Sequence, residues 1–408
     1  MTLIKNYIQF GGRHMETGSV YNALAHAGAK APHTGQPLSE ALLLGVSGGI
    51  AFGYFLFDYK GYAPLMSLLS RNTFDPLETL LSRLAVPREV SQTTNPQKAE
   101  RALLDALEAG RAPIVWADAF SLPYNRLPMD SGAWAMMPLV VFGYDENTVH
   151  VADRSNTALT CDTAAFCAAR ARVKKHKFRM MTLQPPDPAK LNDAVQKGIW
   201  QCVQLFTDKP PKGAVNNFGF AAYRHWADML TNTRNPQGWA RFFPAGKRLW
   251  SALAGWGGMS VGLVQWVHTY GAADGMERGL YADFLDEAAL LLKRPGLKKA
   301  AAHFRRSQTA WNRLGTVAMP DDVPLCRETR ELQIRRRAVF VESGMQSLQE
   351  RDAIDARLAA IRSTVETAFP ISETRITALK ADLARQIMIV HDIEREAVGA
   401  MQAAMGES

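Results

Sequence analysis

The chain has 408 residues and a formal net charge of +8, and 47% of its residues are hydrophobic. This length and apolar content predict two hydrophobic cores, because a single core stops growing at about 250–300 residues. No apolar run reaches the roughly 18 residues that a membrane-spanning helix needs, so we expect a soluble protein without a membrane span.

The N-terminus and the cysteines indicate a cytoplasmic protein. The segment Met1–Asn6 has neither an apolar core nor a small-residue cleavage site, so a secretory signal is not expected. The cysteines form no C-x-x-C pair, which argues against a disulfide framework and against a zinc knuckle. We therefore expect reduced thiols, no metal and no cofactor. The cysteines are Cys161, Cys167, Cys202 and Cys326.

The first 185 residues combine helices with an antiparallel sheet. A turn at Gly11–His14 precedes an apolar helix that we expect to begin at Met15, and a second helix begins at Pro37. Residues Gln97–Ala109 carry apolar side chains three and four positions apart and are followed by Gly110, which predicts an amphipathic helix. Apolar runs and alternation predict strands at Ile114–Ala117, Leu139–Tyr144, Val149–Ala152 and Phe178–Leu183.

The segment Pro185–Pro188 is the clearest domain boundary, because consecutive prolines are stiff and lack backbone donors. After it the strand signals disappear, and helices are predicted at Leu191–Phe206, Phe218–Leu230, Trp239–Leu253 and Gly279–Leu292. Residues 327–405 are helical and charged with one break at Pro370, which predicts a helical hairpin that packs on the body or on another copy. The expected domains are residues 1–186, 187–320 and 321–408.

Two sequence blocks resemble a known family. The first block reads Gly12-Arg13-His14-Met15-Glu16-Thr17, then Asn22-Ala23-Leu24, Ser39-Glu40 and Gly49-Ile50-Ala51-Phe52-Gly53-Tyr54. In order and spacing it resembles the N-terminal domain of the butirosin biosynthesis protein H family. That family consists of papain-like acyltransferases that carry an acyl group on a cysteine and deliver it from an acyl carrier protein to an amine. Its pattern begins Gly-x-His-Cys, and Met15 stands at the cysteine position.

The second block reads Pro113–Asp118, Leu122-Pro123-Tyr124, Pro138–Asp145 and Val149–Arg154. The resemblance places the general base of the family, a histidine just before the second strand, at Met136 or Met137. It places the Asn or Asp that orients this histidine at Asp153. Residues 191–311 resemble the helical domain of unknown function that usually follows. The resemblance thus implies that methionine replaces both the nucleophile and the base, while the orienting carboxylate is retained.

The resemblance implies an α+β fold in which a papain-like domain precedes an all-helical domain and the C-terminal hairpin. It also implies a cleft in which Met15, Met136 and Met137 fill the former reaction centre. The residues expected to line the substrate site are His14, Glu16, Thr17, Tyr124 and Tyr144. Two alternatives stay open: Met15 is ordinary core packing, or Thr17 or Ser19 is a nucleophile.

A basic stretch without acidic residues runs from Lys293 to Arg313. Such a patch attracts phosphate-bearing or acidic partners, although charge runs more often serve as solvated helix faces. An acidic acyl carrier protein is the partner that the resemblance implies. Nucleic acid is not expected, because no DNA-reading motif or interleaved aromatic pattern accompanies the charges. The residues expected to bind the partner are Lys298, Lys299, Arg305 and Arg306.

Three functions are compatible with these patterns. The first is an acyltransferase-like protein of specialised metabolism that recognises acyl thioesters, an acyl carrier protein or an active sister enzyme without a covalent cysteine intermediate. The second is a working transferase that only aligns a thioester with an amine, since alignment alone contributes several kcal/mol. The third is a catalytically inactive assembly partner whose C-terminal helices form a complex, including a homo-oligomer. Whether the chain is an enzyme is left open by the sequence.

Overall fold

The computed structural model describes residues 2–127, 133–208, 214–257 and 260–406. It has an α+β fold with two compact units, and each unit is assembled from separate stretches of chain. Unit 1 contains residues 1–43, 80–191 and 336–353. Unit 2 contains residues 44–79, 192–335 and 354–408. The three expected domains stay a prediction.

Within the described residues, no helix combines the length and apolarity needed to cross a membrane.

The strands are β1 (Thr2–Leu3), β2 (Ile50–Phe57), β3 (Leu65–Arg71), β4 (Arg88–Ser91), β5 (Ile114–Asp118), β6 (Met136–Tyr144), β7 (Thr148–Ala152), β8 (Leu159–Asp162) and β9 (Met180–Leu183). The helices up to residue 231 are α1 (Met15–His26), α2 (Glu40–Val46), α3 (Pro76–Arg83), α4 (Pro96–Glu108), α5 (Thr163–Ala171), α6 (Leu191–Thr207) and α7 (Gly219–Thr231). The later helices are α8 (Trp239–Phe242), α9 (Lys247–Ala254), α10 (Leu263–His268), α11 (Arg278–Leu291), α12 (Leu297–Ala318), α13 (Pro324–Ser343), α14 (Leu348–Thr367) and α15 (Glu373–Gly406).

Unit 1 is built on an antiparallel sheet in the order β4-β9-β5-β6-β7-β8, with β1 paired to β6. Strand β6 lies inside the sheet and is buried along almost its whole length, which explains its nearly continuous apolar sequence. One face of the sheet packs against α4, α5 and Phe340. On the other face Tyr7 stacks on Phe142 with ring centroids 4.5 Å apart, and α1 packs along β6. Both faces of the central strands are therefore covered.

Unit 2 is mainly helical and contains the β2–β3 hairpin. Its long C-terminal helix α15 packs against α7 and α12 and delivers Glu394 to the centre of the unit, where this carboxylate is 0% exposed. Glu394 binds Arg278 at 2.8 Å, and the Arg278 side chain is also 0% exposed. Helix α15 is thus part of the core of unit 2.

The predicted helices and strands are largely confirmed, including the start of α1 at Met15 and the β6–β7 hairpin. The helix predicted at Trp239–Leu253 is wrong as a single element, because the chain breaks between α8 and α9 at Pro244 and at Gly246, whose φ is +98°. The C-terminal segment also breaks a second time, at Gly344 with φ +47°, so it is not one hairpin broken only at Pro370. The β2–β3 hairpin was not predicted.

Candidate functional site

The first turn of α1 is the centre of the candidate site. His14 is its N-cap, and the ring Nδ1 of His14 accepts a hydrogen bond from the backbone N–H of Glu16 at 3.2 Å. Gly12 lies against the same helix, and a Cβ at Gly12 would stand 2.3 Å from the carbonyl oxygen of Gly18. The glycine is therefore required by a close backbone contact, and His14 caps the helix through its ring Nδ1.

Glu40, the first residue of α2, holds this turn in place. Its carboxylate accepts hydrogen bonds from the backbone N–H groups of Arg13 at 2.7 Å and His14 at 2.8 Å, and from the Thr17 hydroxyl at 2.9 Å. Glu40 is 8% exposed. A carboxylate at a helix N-terminus is favoured by the helix dipole and forms strong bonds with backbone donors. Thr17 thus donates to Glu40, which gives it a structural role.

Ser19 links the start of α1 to the start of β6. Its Oγ lies 2.5 Å from the carbonyl oxygen of Met15 and 3.0 Å from that of Pro138. Pro138 directly follows Met136 and Met137 in β6. The structure therefore brings the first turn of α1 next to the start of β6. Adjacent strand residues point to opposite faces, so Met136 lies on the α1 side of the sheet and Met137 on the side of Leu139. Ser19 is 4% exposed and binds backbone oxygens, as expected of a packing residue.

Asp153 lies beside the same strand. It directly follows β7, whose Ala152 is paired with Val140 of β6. The Asp153 carboxylate accepts two bonds from Arg154, at 2.7 and 2.8 Å, and one from the Tyr124 hydroxyl at 3.0 Å. Burial and the nearby Asp153 carboxylate raise the pKa of Tyr124 well above its ordinary value. Asp153, the residue predicted for the orienting position, is thus bound by an arginine and a tyrosine.

Tyr144 does not join this group. It lies at the other end of β6, eight residues from Met136 or roughly 26 Å along an extended strand. Its hydroxyl donates to Glu100 at 2.9 Å and lies 3.5 Å from the Cys167 sulfur. Glu16 is half-buried in the first turn of α1. Of the predicted substrate residues, Tyr144 is therefore the one that the structure separates most clearly from the turn.

The predicted partner patch lies on α12 in unit 2. Lys298 and Lys299 are exposed in its first turn. Arg305 instead binds Asp283 at 2.8 Å and Asp286 at 2.7 Å. Arg306 binds Glu396 at 3.4 Å. Acidic residues from neighbouring helices therefore offset part of the positive charge that the sequence concentrates here.

Sequence reasoning missed two residues that shape the site. Glu40 belongs to the family pattern, but the pattern did not predict its contacts with the turn Gly11–His14. These contacts join residues more than twenty positions apart, so the sequence near Glu40 does not indicate them. Asn156, which accepts a hydrogen bond from the Arg13 guanidinium, lies 143 positions from its partner. The only sequence signal at Glu40 was the Ser39-Glu40 helix start. That signal predicts a cap for α2 and does not predict the contact of Glu40 with the turn of α1.

The chemistry of the region follows from its side chains. A thioether has no proton to lose and is a poor nucleophile, so Met15 cannot form an acyl intermediate. Within the described ranges, no group of three His, Cys, Asp or Glu side chains could hold a metal ion. The described cysteines are free, and burial raises the pKa values of Cys161, Cys202 and Cys326 to about 12.

Comparison with known families accounts for about three quarters of the chain. The family described as "Butirosin biosynthesis protein H, N-terminal" matches residues 14–154, which include the turn of α1 and Asp153. The family described as "Domain of unknown function (DUF4872)" matches residues 164–323. No curated protein shows significant similarity to the chain. The chain therefore belongs to the butirosin biosynthesis protein H-like family, with the N-terminal domain followed by this domain of unknown function.

Proposed function

We propose that this protein is an acyltransferase-like component of specialised biosynthesis that recognises acyl thioesters without a covalent cysteine intermediate. The observation that carries the proposal is the joining of α1 to β6 through Ser19 and Pro138. In this proposal, Met15 and Met136 occupy the positions at which an acyl-carrying cysteine and its base meet in a papain-like domain. The papain-like arrangement is part of this proposal.

Each side chain has a role in such a site. Met15 and Met136 supply flexible apolar volume for an acyl chain, since methionine adapts to irregular shapes. Glu40 fixes the turn by binding the backbone of Arg13 and His14. The site then binds and orients the thioester. If transfer occurs, an amine attacks the thioester carbonyl directly, the C–S bond breaks as the amide forms, and the thiol leaves with the proton that the amine gives up. Alignment of the two reactants replaces the missing nucleophile.

The partner in this proposal is an acyl carrier protein or a free acyl thioester, and the compartment is the cytoplasm. Lys298 and Lys299 give an acidic carrier a place to bind, because they are exposed and positively charged. Arg305 and Arg306 contribute less, since each already binds a carboxylate. A homo-oligomer through the C-terminal helices is a weaker proposal, because α15 already buries its apolar side in unit 2.

The test is incubation of the purified protein with acyl thioesters, with and without an amine, followed by intact mass and thioester loss. We expect binding without an acyl adduct on the protein. An adduct that survives denaturation would overturn the proposal, and peptide mapping would name the nucleophile. Thioester loss only with amine supports direct transfer. Absence of both binding and turnover supports the alternative, an inactive assembly partner of an active enzyme.

A restored variant provides the matched comparison. Met15→Cys combined with Met136→His returns a thiol and an imidazole to the two positions on the face of β6 that packs against α1. We expect this double variant to gain an acyl adduct at residue 15, whereas Met15→Cys alone gains it more slowly because the thiol lacks a base. An adduct equally fast on both variants would contradict the assignment of residue 136 to the position of the base.

A further inference from the structure

Arg13 is a half-buried cation beside the candidate site. Its guanidinium donates to the backbone oxygen of Phe10 at 3.3 Å and to the side-chain oxygen of Asn156. Both acceptors are neutral, and the guanidinium makes no ion pair with any residue in the described ranges. Burial lowers the pKa of Arg13, while Glu40 and Tyr21 act in the opposite direction. The positive charge is thus only partly compensated.

The backbone of the turn is not the group that would bind an anion. The N–H groups of Arg13 and His14 already donate to Glu40, and the N–H of Glu16 donates to the His14 ring. Glu40 also places a negative charge at the helix end. An anion that approaches this region therefore meets the Arg13 side chain as its donor. A guanidinium has five N–H donors in a planar fork, a geometry that matches phosphate oxygens.

Asn156 fixes the direction of the Arg13 side chain. The backbone N–H of Asn156 donates to the carbonyl oxygen of Val341 at 2.7 Å, and the Ser155 hydroxyl lies 3.4 Å from the same oxygen. Val341 belongs to residues 336–353, a segment of unit 1 that lies beyond both matched family regions. The loop that holds Arg13 is therefore anchored by a segment that the family comparison does not cover.

We propose that Arg13 recognises the phosphate group of a phosphopantetheine arm that carries the acyl thioester, and that Asn156 is a positioning residue for Arg13. The inference rests on the proposed function, since acyl thioesters in biosynthesis are presented on this arm. The inference assigns the preference for a phosphorylated ligand to Arg13, which occupies the variable position of the Gly-x-His pattern. The contact is a reversible charge-assisted hydrogen bond, and no covalent step is involved.

The experiment compares acyl-pantetheine thioester with acyl-phosphopantetheine thioester, which differ only in the phosphate. Binding to the full chain is measured by calorimetry at low and at high salt. We expect about tenfold tighter binding of the phosphorylated arm, the size of one hydrogen bond to a charged group, and a smaller preference at high salt. Arg13→Gln should abolish the preference. Asn156→Ala should reduce it, while the affinity for the unphosphorylated arm stays the same.

Arg101→Gln is the matched control, because Arg101 is 69% exposed in unit 1 and pairs with Asp105 along its own helix. It should keep the full preference. Arg13→Lys keeps the charge but loses the planar fork, so we expect it to keep part of the preference for the phosphorylated arm. This variant replaces Arg13→Gln in the test if Arg13→Gln fails to fold. Binding of an acyl carrier protein that carries the same acyl-phosphopantetheine arm is measured in the same way, as a second ligand.

Equal affinity of the wild-type protein for both arms would overturn this inference and leave the proposed function intact. Absence of binding to either arm and to the loaded carrier would overturn the proposed function itself. Binding of the carrier alone would also overturn the inference, because recognition would then lie on the carrier surface. A phosphate preference that survives in Arg13→Gln would assign the contact to another residue.

Discussion

Asp153 in unit 1 and Glu394 in unit 2 are both carboxylates bound by an arginine and a tyrosine, but their surroundings differ. Asp153 is bound by its sequence neighbour Arg154, whose side chain is 21% exposed. Glu394 is bound by Arg278, 116 positions away, and both side chains are 0% exposed. When one member of the Asp153–Arg154 pair is changed, solvent can hydrate the charge of the other member. Solvent cannot do so for the Glu394–Arg278 pair. The comparison separates a pair that reaches solvent through Arg154 from a fully buried structural centre.

The Glu394 group is also more completely bonded. The carboxylate accepts hydrogen bonds from Tyr223 at 2.6 Å, Ser307 at 2.6 Å and Trp311 at 2.9 Å in addition to Arg278. These residues come from α7, α12 and α11, which α15 thereby connects. Burial alone would raise the pKa of Glu394, but Arg278 and the other donors lower it. The group is satisfied in the folded protein and leaves nothing for a ligand.

The largest expected effect is the loss of the Glu394 charge. Glu394→Gln keeps the shape but leaves the buried Arg278 guanidinium without its counter-charge, so we expect a loss of about 3–5 kcal/mol in the free energy of unfolding. Urea unfolding followed by circular dichroism measures it. Glu396→Gln is the control, because Glu396 is 55% exposed and its ion pairs should contribute little. Equal losses in the two variants would contradict the structural role of Glu394.

The same pair predicts a dependence of stability on pH. The pKa of Glu394 is lowered from its ordinary value of 4.5 in the folded protein, so the carboxylate contributes stability above that value. This contribution is lost as the pH falls through the lowered folded-state pKa, because both states then bind the proton. The difference in unfolding free energy between wild type and Glu394→Gln should therefore be full near neutral pH and shrink in acid. A difference that grows in acid would show the opposite sign of the shift.

A smaller effect is expected at Asp153. Asp153→Asn removes a charge from a group that is only 5% exposed, but its partner Arg154 reaches water. We expect a loss of about 1–3 kcal/mol, the range for one buried bonded group, measured by the same urea unfolding. Asp145→Asn is the control, since Asp145 lies in the exposed β6–β7 turn and bonds to the backbone of that turn. A loss as large as that of Glu394→Gln would remove the distinction between the two regions.

The two regions also differ in how much the sequence predicts. Gly12 and the apolar spacing after Met15 predicted the start of α1, since these signals lie within a few residues of it. The alternation around Leu139 and Val149 predicted the hairpin beside the site for the same reason. The pairing of Glu394 with Arg278 left no local trace, because a charged residue in a helical pattern is equally compatible with an exposed face. The sequence predicted a C-terminal helical hairpin that packs on the body or on another copy, but it gave no signal that α15 would bury a carboxylate in the core of unit 2.

Part of the site was beyond sequence reasoning for a different physical reason. The family pattern pointed to Met15, to Met136 or Met137, and to Asp153, but their partners depend on contacts between distant segments. Arg154 adopts a left-handed backbone with φ +57° and binds Asp153, which no periodicity indicates. Tyr144 was placed in the site by its position in the pattern, although the length of β6 separates it from Met136.

The smallest loss of stability is expected for Met15→Ala, which is compared with the same change at a buried methionine of unit 2. Met15 is half-buried at the turn of α1, whereas Met401 of α15 is 0% exposed and accepts a hydrogen bond from Tyr281 at 3.6 Å. Met401→Ala should cost about 2–5 kcal/mol, the usual range for a large-to-small change in a packed core. Met15→Ala should cost less than about 1 kcal/mol, because water can fill the space, and thermal unfolding compares the two. A large loss for Met15→Ala would support core packing, the alternative that the sequence left open for this residue, and would weaken its assignment to an acyl-binding cleft.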